Sequence, residues 1–406
     1  MNRHLIEQLL VKELSNNEHT RLGDLVQTLV SKCIHQTEFD QGEALAASFD
    51  LMVGLFYYEK IVSNGWLKCP NGDEHYFFPY VNVCPRCALE ERFVHHKAGK
   101  TASANIGKSA ITALVLFVRE WFSQTGSDLE ICKASEPIDL IVYDRENDVA
   151  FLAEVKSAPL FTLPLAIKTD VGATTATRHE SITLCAMRGA RMGLLLPVPD
   201  GAGGWESEMI YFAREYDGTA SYFLEMLTLL VNNDVFYIKF VTTWVRAFNA
   251  YESKDKEDSI FWLTGGCGAP SPTPAGWPLT RGTKPKAESI SDGKTSVGMD
   301  RTDDIKKGVY QLLKLRMIDA VAEGMTVKVG ILSNAHAARH HDDYVLPIQD
   351  VMWLKTDQTE VETIDDLPAG TPLFNLYDGI ITFTKSFTRD GWLQQIFDFN
   401  GIDRDN

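Results

Sequence analysis

Two β-rich runs, residues 138–143 and 149–156, flank the polar segment Asp144-Arg145-Glu146-Asn147-Asp148, and no other stretch constrains the chain as tightly. Aliphatic and β-branched runs on either side of a short polar turn make an antiparallel hairpin. Successive side chains in a strand alternate between faces, so Glu154 and Lys156 share one face while Phe151, Ala153 and Val155 take the other. The midpoint between positions 139 and 154 falls between Glu146 and Asn147, inside the turn, so a symmetric hairpin puts Asp139 opposite Glu154. Cross-strand neighbours have Cβ atoms about 5 Å apart, which lets both carboxylates reach one cation.

Two acids facing each other on a largely apolar hairpin repel, and burying them is costly unless a cation compensates. A hard divalent ion such as Mg²⁺ uses few protein carboxylates and keeps waters, one of which can become the nucleophile at a phosphodiester. Lys156, beside that water and the scissile phosphate, can stabilise developing charge. A Glu-x-Lys tripeptide alone is usually an exposed ion pair. The preceding Pro137-Ile138-Asp139, at a matched distance, turns the reading toward a catalytic metal site formed by Asp139 and Glu154, with Lys156 as the third catalytic residue.

Pro137-Ile138-Asp139 followed by Glu154-Val155-Lys156 resembles the PD-(D/E)XK nuclease motif, with Asp139, Glu154 and Lys156 matching its first acid, second acid and lysine. The departure is one residue, Ile138, between the proline and the aspartate. The resemblance implies an α/β fold with a restriction-endonuclease-like core, a mixed β-sheet flanked by helices, in which one core helix precedes the hairpin and another follows it. Residues 106–122 and 302–317 supply those helices around a large insertion. An acid on the first helix sometimes joins the metal site in that superfamily, and Glu120 is the candidate. The whole chain resembles type II restriction endonucleases, and Phe261-Trp262-Leu263-Thr264 with Asp303-Asp304-Ile305-Lys306-Lys307-Gly308 points to the ApaLI-like group. Mg²⁺-dependent, sequence-specific hydrolysis of double-stranded DNA is what this resemblance implies, and palindromic cutting implies a homodimer. Two rivals remain open: a zinc-stabilised, non-catalytic DNA-binding protein, and a structure-specific repair nuclease of the same fold.

With 406 residues, 45% of them apolar, the chain can bury a large core and exceeds one typical domain. The expected division is an N-terminal helical region, 1–104, carrying a zinc-binding module at about 65–96, and a nuclease core, 105–406, with a large insertion at about 160–300. Cys69, Cys84 and Cys87 crowd together among seven cysteines, which favours a metal site in a reducing compartment over disulfides. Tetrahedral Zn²⁺ takes four N or S donors, and a site closed by protein ligands is structural. His75 is the expected fourth ligand, with His95 or His96 as the rival. No run of about 18 apolar residues and no secretion signal is present, so a cytoplasmic location and no membrane contact are expected.

A net charge of −16 argues against a nucleic-acid partner, because Lys and Arg supply most non-specific affinity for phosphates. A metal-dependent nuclease can nevertheless keep a basic groove inside an acidic shell. The segment 265–300, rich in Gly, Pro, Ser and Thr, includes Arg281, Lys284, Lys286 and Lys294, and reads either as an arm that orders on phosphates or as a plain loop. Asn334, His336, Arg339, His340 and His341 form a polar loop able to reach bases. Further strands are expected at 192–198, 236–241, 260–263 and 327–332, and Asp303 and Asp304 suit the first turn of a helix.

Overall fold

A computed structural model describes residues 3–60, 66–79, 83–94, 103–168, 187–264, 272, 297–317, 325–354 and 361–400. Its elements begin with α1 (Arg3–Leu14), α2 (Asn17–His35), α3 (Gln41–Glu59), β1 (Trp66–Lys68), β2 (Glu74–Phe77) and α4 (Pro85–Leu89). Next come α5 (Ser103–Thr125), β3 (Glu130–Lys133), β4 (Leu140–Asp144), β5 (Val149–Val155) and β6 (Leu165–Lys168). The central part supplies β7 (Met192–Pro199), β8 (Trp205–Tyr211), α6 (Tyr222–Val231) and α7 (Asp234–Ser253). The last stretch holds α8 (Thr302–Met317), β9 (Thr326–Ser333), β10 (Met352–Trp353), β11 (Phe374–Asn375), β12 (Gly379–Thr382), β13 (Phe387–Thr388) and α9 (Gly391–Ile396).

The chain divides into two compact units, one from Met1–Thr20, Leu114–Ser157 and Met299–Asn406, the other from Arg21–Ala113 and Ala158–Gly298. The expected boundary at residue 104 is therefore corrected. The insertion at 160–300 does not elaborate the core that follows residue 105; it joins the N-terminal helical region, because β6 pairs with β2 and carries β7 and β8 into the same sheet.

The first unit is α/β, built on a mixed six-stranded sheet in the order β13-β12-β9-β5-β4-β3. The strands β3, β4 and β5 form an antiparallel meander, while β5, β9 and β12 run parallel. The parallel step from β5 to β9 needs a crossover connection, which here includes α8. Alternation sorts the side chains. Ile141, Tyr143 and Leu152 point to the face covered by Ile305, Leu312 and Leu315 of α8. Phe151 points to the opposite face and meets Phe397, against which Phe122 of α5 also packs. Helices thus flank the sheet on both sides. Asp378 ties this unit together by accepting from Val329 N at 2.7 Å and pairing with Arg316 of α8.

The second unit holds an antiparallel sheet, β1-β2-β6-β7-β8, and the helices α2, α3, α6 and α7. Buried residues run along α3 without a polar face, from Gly42 to Tyr58, as expected of a helix enclosed by others. Asp50, with no exposure, is the buried charged residue of that helix. Its Oδ2 accepts from Leu160 N at 2.8 Å, Phe161 N at 3.2 Å and Trp244 Nε1 at 2.7 Å. Burial pushes its carboxyl well above the ordinary range despite those three donors. An acid whose folded pKa is raised binds more protons folded than unfolded, so stability falls as pH climbs from the unfolded value toward the folded one. Asp50→Asn, which keeps an acceptor oxygen, is expected to flatten the decline of Tm between pH 5 and pH 8. Asp50→Ala strands three buried donors at about 1–3 kcal/mol each and should unfold at a much lower temperature. Thermal melts at the two pH values check both, and an unchanged slope in Asp50→Asn counts against the assignment.

Two expected strands are helical instead. Residues 236–241 lie in α7, where Phe236, Tyr237, Phe240, Val241 and Trp244 are buried at helical spacing and Asn233 caps the N-terminus. Residues 260–263 belong to a 3-10 turn, Ser259–Leu263, whose first N–H groups are met by Asp258. The expected strands at 192–198 and 327–332 are β7 and β9. The basic residues Arg281, Lys284, Lys286 and Lys294 lie outside the described residues. No helix among the described residues is long and apolar enough to cross a membrane.

Candidate active site and metal centre

The hairpin register pairs Leu140 with Ala153 and Asp144 with Val149, and one further step along it brings Asp139 to Glu154. Asp139 is fixed there by two backbone contacts. Its N–H donates to Ala153 O at 3.2 Å, and its Oδ2 accepts from Val155 N at 2.9 Å. Glu154 is 6% exposed and pairs with the ammonium of Lys156 on the same face. Burial pushes the Glu154 carboxyl up, Lys156 opposes the shift, and Asp139 adds to it. Glu154 therefore has an ammonium on one side and a second carboxylate beside it in a half-dry setting, an arrangement that could hold a divalent cation.

The helix α8 completes this face. A Cβ on Gly308 would stand 2.8 Å from Ile331 Cδ1, so the missing side chain lets α8 approach Ile331 of β9, and at 3.8 Å from Lys156 Cγ it would be in ordinary contact with the lysine stem. One turn earlier on the same helix face, the half-buried Asp304 has its carboxyl raised by burial, with Arg301, Lys156 and Lys307 opposing. Sequence reasoning credited Asp304 only with a favourable place at a helix N-terminus. The available signal was its spacing of four from a glycine on an otherwise well-filled helix.

Glu120 of α5 does not join the pair. It accepts from Gln124 Nε2 at 2.8 Å, one turn along its own helix. Among the described residues the one group of three or more His, Cys, Asp or Glu donors close enough to share an ion is Cys69, Cys84 and Cys87.

The loop after β9 is fastened inward. Ser157 Oγ donates to Asn334 Oδ1 at 2.6 Å and accepts from Asn334 N at 3.0 Å, joining the ends of β5 and β9. His336 contacts Thr384 Oγ1 through N at 3.0 Å and Nδ1 at 2.7 Å. Asp300 Oδ1 accepts from Arg339 N at 2.9 Å and His340 N at 3.0 Å. These groups brace the loop, which leaves His341 and its neighbours as its outward part.

In the second unit, the buried sulfurs of Cys69, Cys84 and Cys87 lie within 4.8 Å of one another. The turn after β1 presents Cys69, and Cys84 caps the short α4 that carries Cys87. Hydrogen bonds from the other two thiols, and one from Asn71 Nδ2 at 3.2 Å, hold the Cys87 thiol well below its ordinary range. A thiolate of this kind is the form that binds metal, and the cluster can hold an ion such as Zn²⁺. His75 is not in the group, which corrects the expected ligand set. On β2, Glu74 pairs with Arg86 at 3.3 Å and Tyr76 is electrostatically linked to Cys69 and Cys84, so strand alternation turns the intervening His75 to the other face. His95 and His96 lie outside the described residues.

Comparison of the chain with protein-family models, with curated proteins and with solved structures gave no match.

Proposed function

We propose that the chain is a Mg²⁺-dependent type II restriction endonuclease with a restriction-endonuclease-like core, hydrolysing phosphodiester bonds of double-stranded DNA at specific sites. The observation that carries this reading is the cross-strand pairing of Asp139 with Glu154, with Lys156 on the same face. The antiparallel meander, the helices on both faces and the parallel strand after α8 support it, since the resembled motif implies a core helix before the hairpin and one after it.

Asp139 and Glu154 would hold Mg²⁺. When bound, Mg²⁺ supplies Lewis-acid polarisation of the phosphate and a lowered pKa for a coordinated water. Lys156 turns its ammonium from Glu154 toward the scissile phosphate and offsets the negative charge that grows in the transition state. Asp304 of α8 adds a further carboxyl near Lys156. Zn²⁺ at Cys69, Cys84, Cys87 and a fourth donor is structural, and cutting both strands of a palindrome calls for a homodimer with two such sites.

Digestion of a mapped plasmid with Mg²⁺, and with chelator as control, tests the reading. Discrete fragments that vanish on chelation are the expected result. A bound but intact plasmid would instead establish the zinc-stabilised DNA-binding protein, and cleavage without discrete fragments would point to a structure-specific repair nuclease.

A further inference from the structure

The strands β5, β9 and β12 run parallel, with Glu154 beside Ile331 and Leu332 beside Ile381, so their carboxyl ends share one edge of the sheet. Open α/β sheets bind ligands outside that edge. Lys156 follows β5 there, the loop 334–345 follows β9, and Lys385 follows β12. The first turns of α8 reach the same edge, as the approach of Gly308 to Lys156 shows.

Two exposed lysines on this edge are braced by aromatic rings. Lys306 Nζ lies 5.2 Å from the ring centroid of Tyr344, and Lys385 Nζ lies 5.4 Å from that of Phe387. His341 stacks on Phe387 with centroids 4.3 Å apart and an angle of 19°. The loop after β9 is thus gripped from α8 on one side and from the β12–β13 connection on the other. Among the described residues neither ammonium forms an ion pair, whereas Lys32, Lys239 and Lys328 are each matched to a carboxylate. A ring holds an ammonium in place without neutralising it, so its charge remains available to an anion. Asp342 and Asp343, exposed on the turn His341–Val345, are the opposing charges.

We infer that Lys306 and Lys385, held over Tyr344 and Phe387, form a rim that seats the phosphate backbone of duplex DNA beside the Asp139–Glu154 pair. The inference rests on the nuclease reading for the identity of the anion. Phosphate contacts release counterions, and each one lost lowers the salt slope of log K by roughly 0.9.

Fluorescence anisotropy of a labelled duplex, titrated with the full chain in Ca²⁺ at several KCl concentrations, reads this directly. The double variant Lys306→Gln/Lys385→Gln should bind more weakly, with a salt slope shallower by roughly 2 and an unchanged Tm. Asp342→Asn should bind more tightly. An unchanged slope in the double variant, or no duplex binding by the unsubstituted chain, overturns the rim. Plasmid cleavage with an unchanged slope leaves the nuclease reading standing without the rim. Absent cleavage with binding that weakens as described removes the nuclease reading and keeps the rim.

Discussion

Asp139→Ala and Glu154→Ala are each expected to abolish Mg²⁺-supported plasmid cleavage, and Lys156→Ala to slow it by about 10²-fold or more. On the proposed function Asp139 and Glu154 would hold the Mg²⁺ ion whose chemistry the reaction needs, so losing either would remove that chemistry at its source. Lys156→Ala leaves the acids in place and takes away only charge stabilisation at the phosphate. Because Asp139 Oδ2 also accepts from Val155 N, Asp139→Asn is the cleaner variant: it keeps an acceptor for that N–H and loses the charge. Its stability effect should have a sign opposite to that of a broken structural ion pair. Glu154 has its carboxyl raised by burial and by Asp139, so the folded state is penalised as pH rises above the unfolded glutamate value of about 4.3. Asp139→Asn relieves part of that penalty. In chelator its Tm should exceed that of the unsubstituted chain, by more at pH 7.5 than at pH 4. Cleavage rates, thermal melts and a Ca²⁺ gel shift measure the set. Near-normal cutting by both alanine variants would place the active site elsewhere.

Cys84→Ser is expected to release about one Zn²⁺ per chain and to unfold the module around β1, β2 and α4. Structural zinc sites in small modules bind with roughly 10–16 kcal/mol at neutral pH, and that binding is coupled to folding, so this is the largest single loss of stability anticipated. His75→Ala separates this site from the one read off the sequence. With its side chain turned away from the thiols, its loss should leave the zinc content unchanged, while His95→Ala and His96→Ala test the remaining candidates for the fourth donor. Metal analysis of freshly purified, unchelated protein gives the answer, and a zinc content near zero would end the proposal of a structural zinc site.

The hairpin that carries the candidate acids was legible because everything that fixes it is local. A polar turn and two β-rich runs set the register, and period-two alternation placed Glu154 and Lys156 together. The helices α5 and α8 were legible from their apolar spacing. Residues 236–241 were misread because their aromatic and β-branched composition suits a strand, although Phe236, Tyr237, Phe240, Val241 and Trp244 already carried a helical period. Ser259–Leu263 is too short for periodicity to separate a turn from a strand. The partition into units was not legible at all, because it depends on β2 meeting β6 across a long stretch of chain. His75 matches a ligand only by its spacing from Cys69, and alternation along β2 takes it away from the thiol cluster. Asp304 and Gly308 gain meaning only when α8 is laid against Lys156.

The interleaving of the two units bears on when during synthesis the surroundings of the acid pair can be completed. Ser157 and Asn334, which join the ends of β5 and β9, are 177 residues apart, and β12 and β13 come later still. A ribosome that has made residue 298 has produced every segment of the second unit, but of the first only α1, part of α5 and the β3-β4-β5 meander with its flanking residues. At about 5–20 residues per second, the stretch from residue 299 through β13 takes on the order of 5–20 s more. During that interval the nascent chain carries Asp139, Glu154 and Lys156 without the helix and parallel strands that give them a site. Under the proposed nuclease function, a chain assembled in this order would acquire its full site only after translation has passed β13.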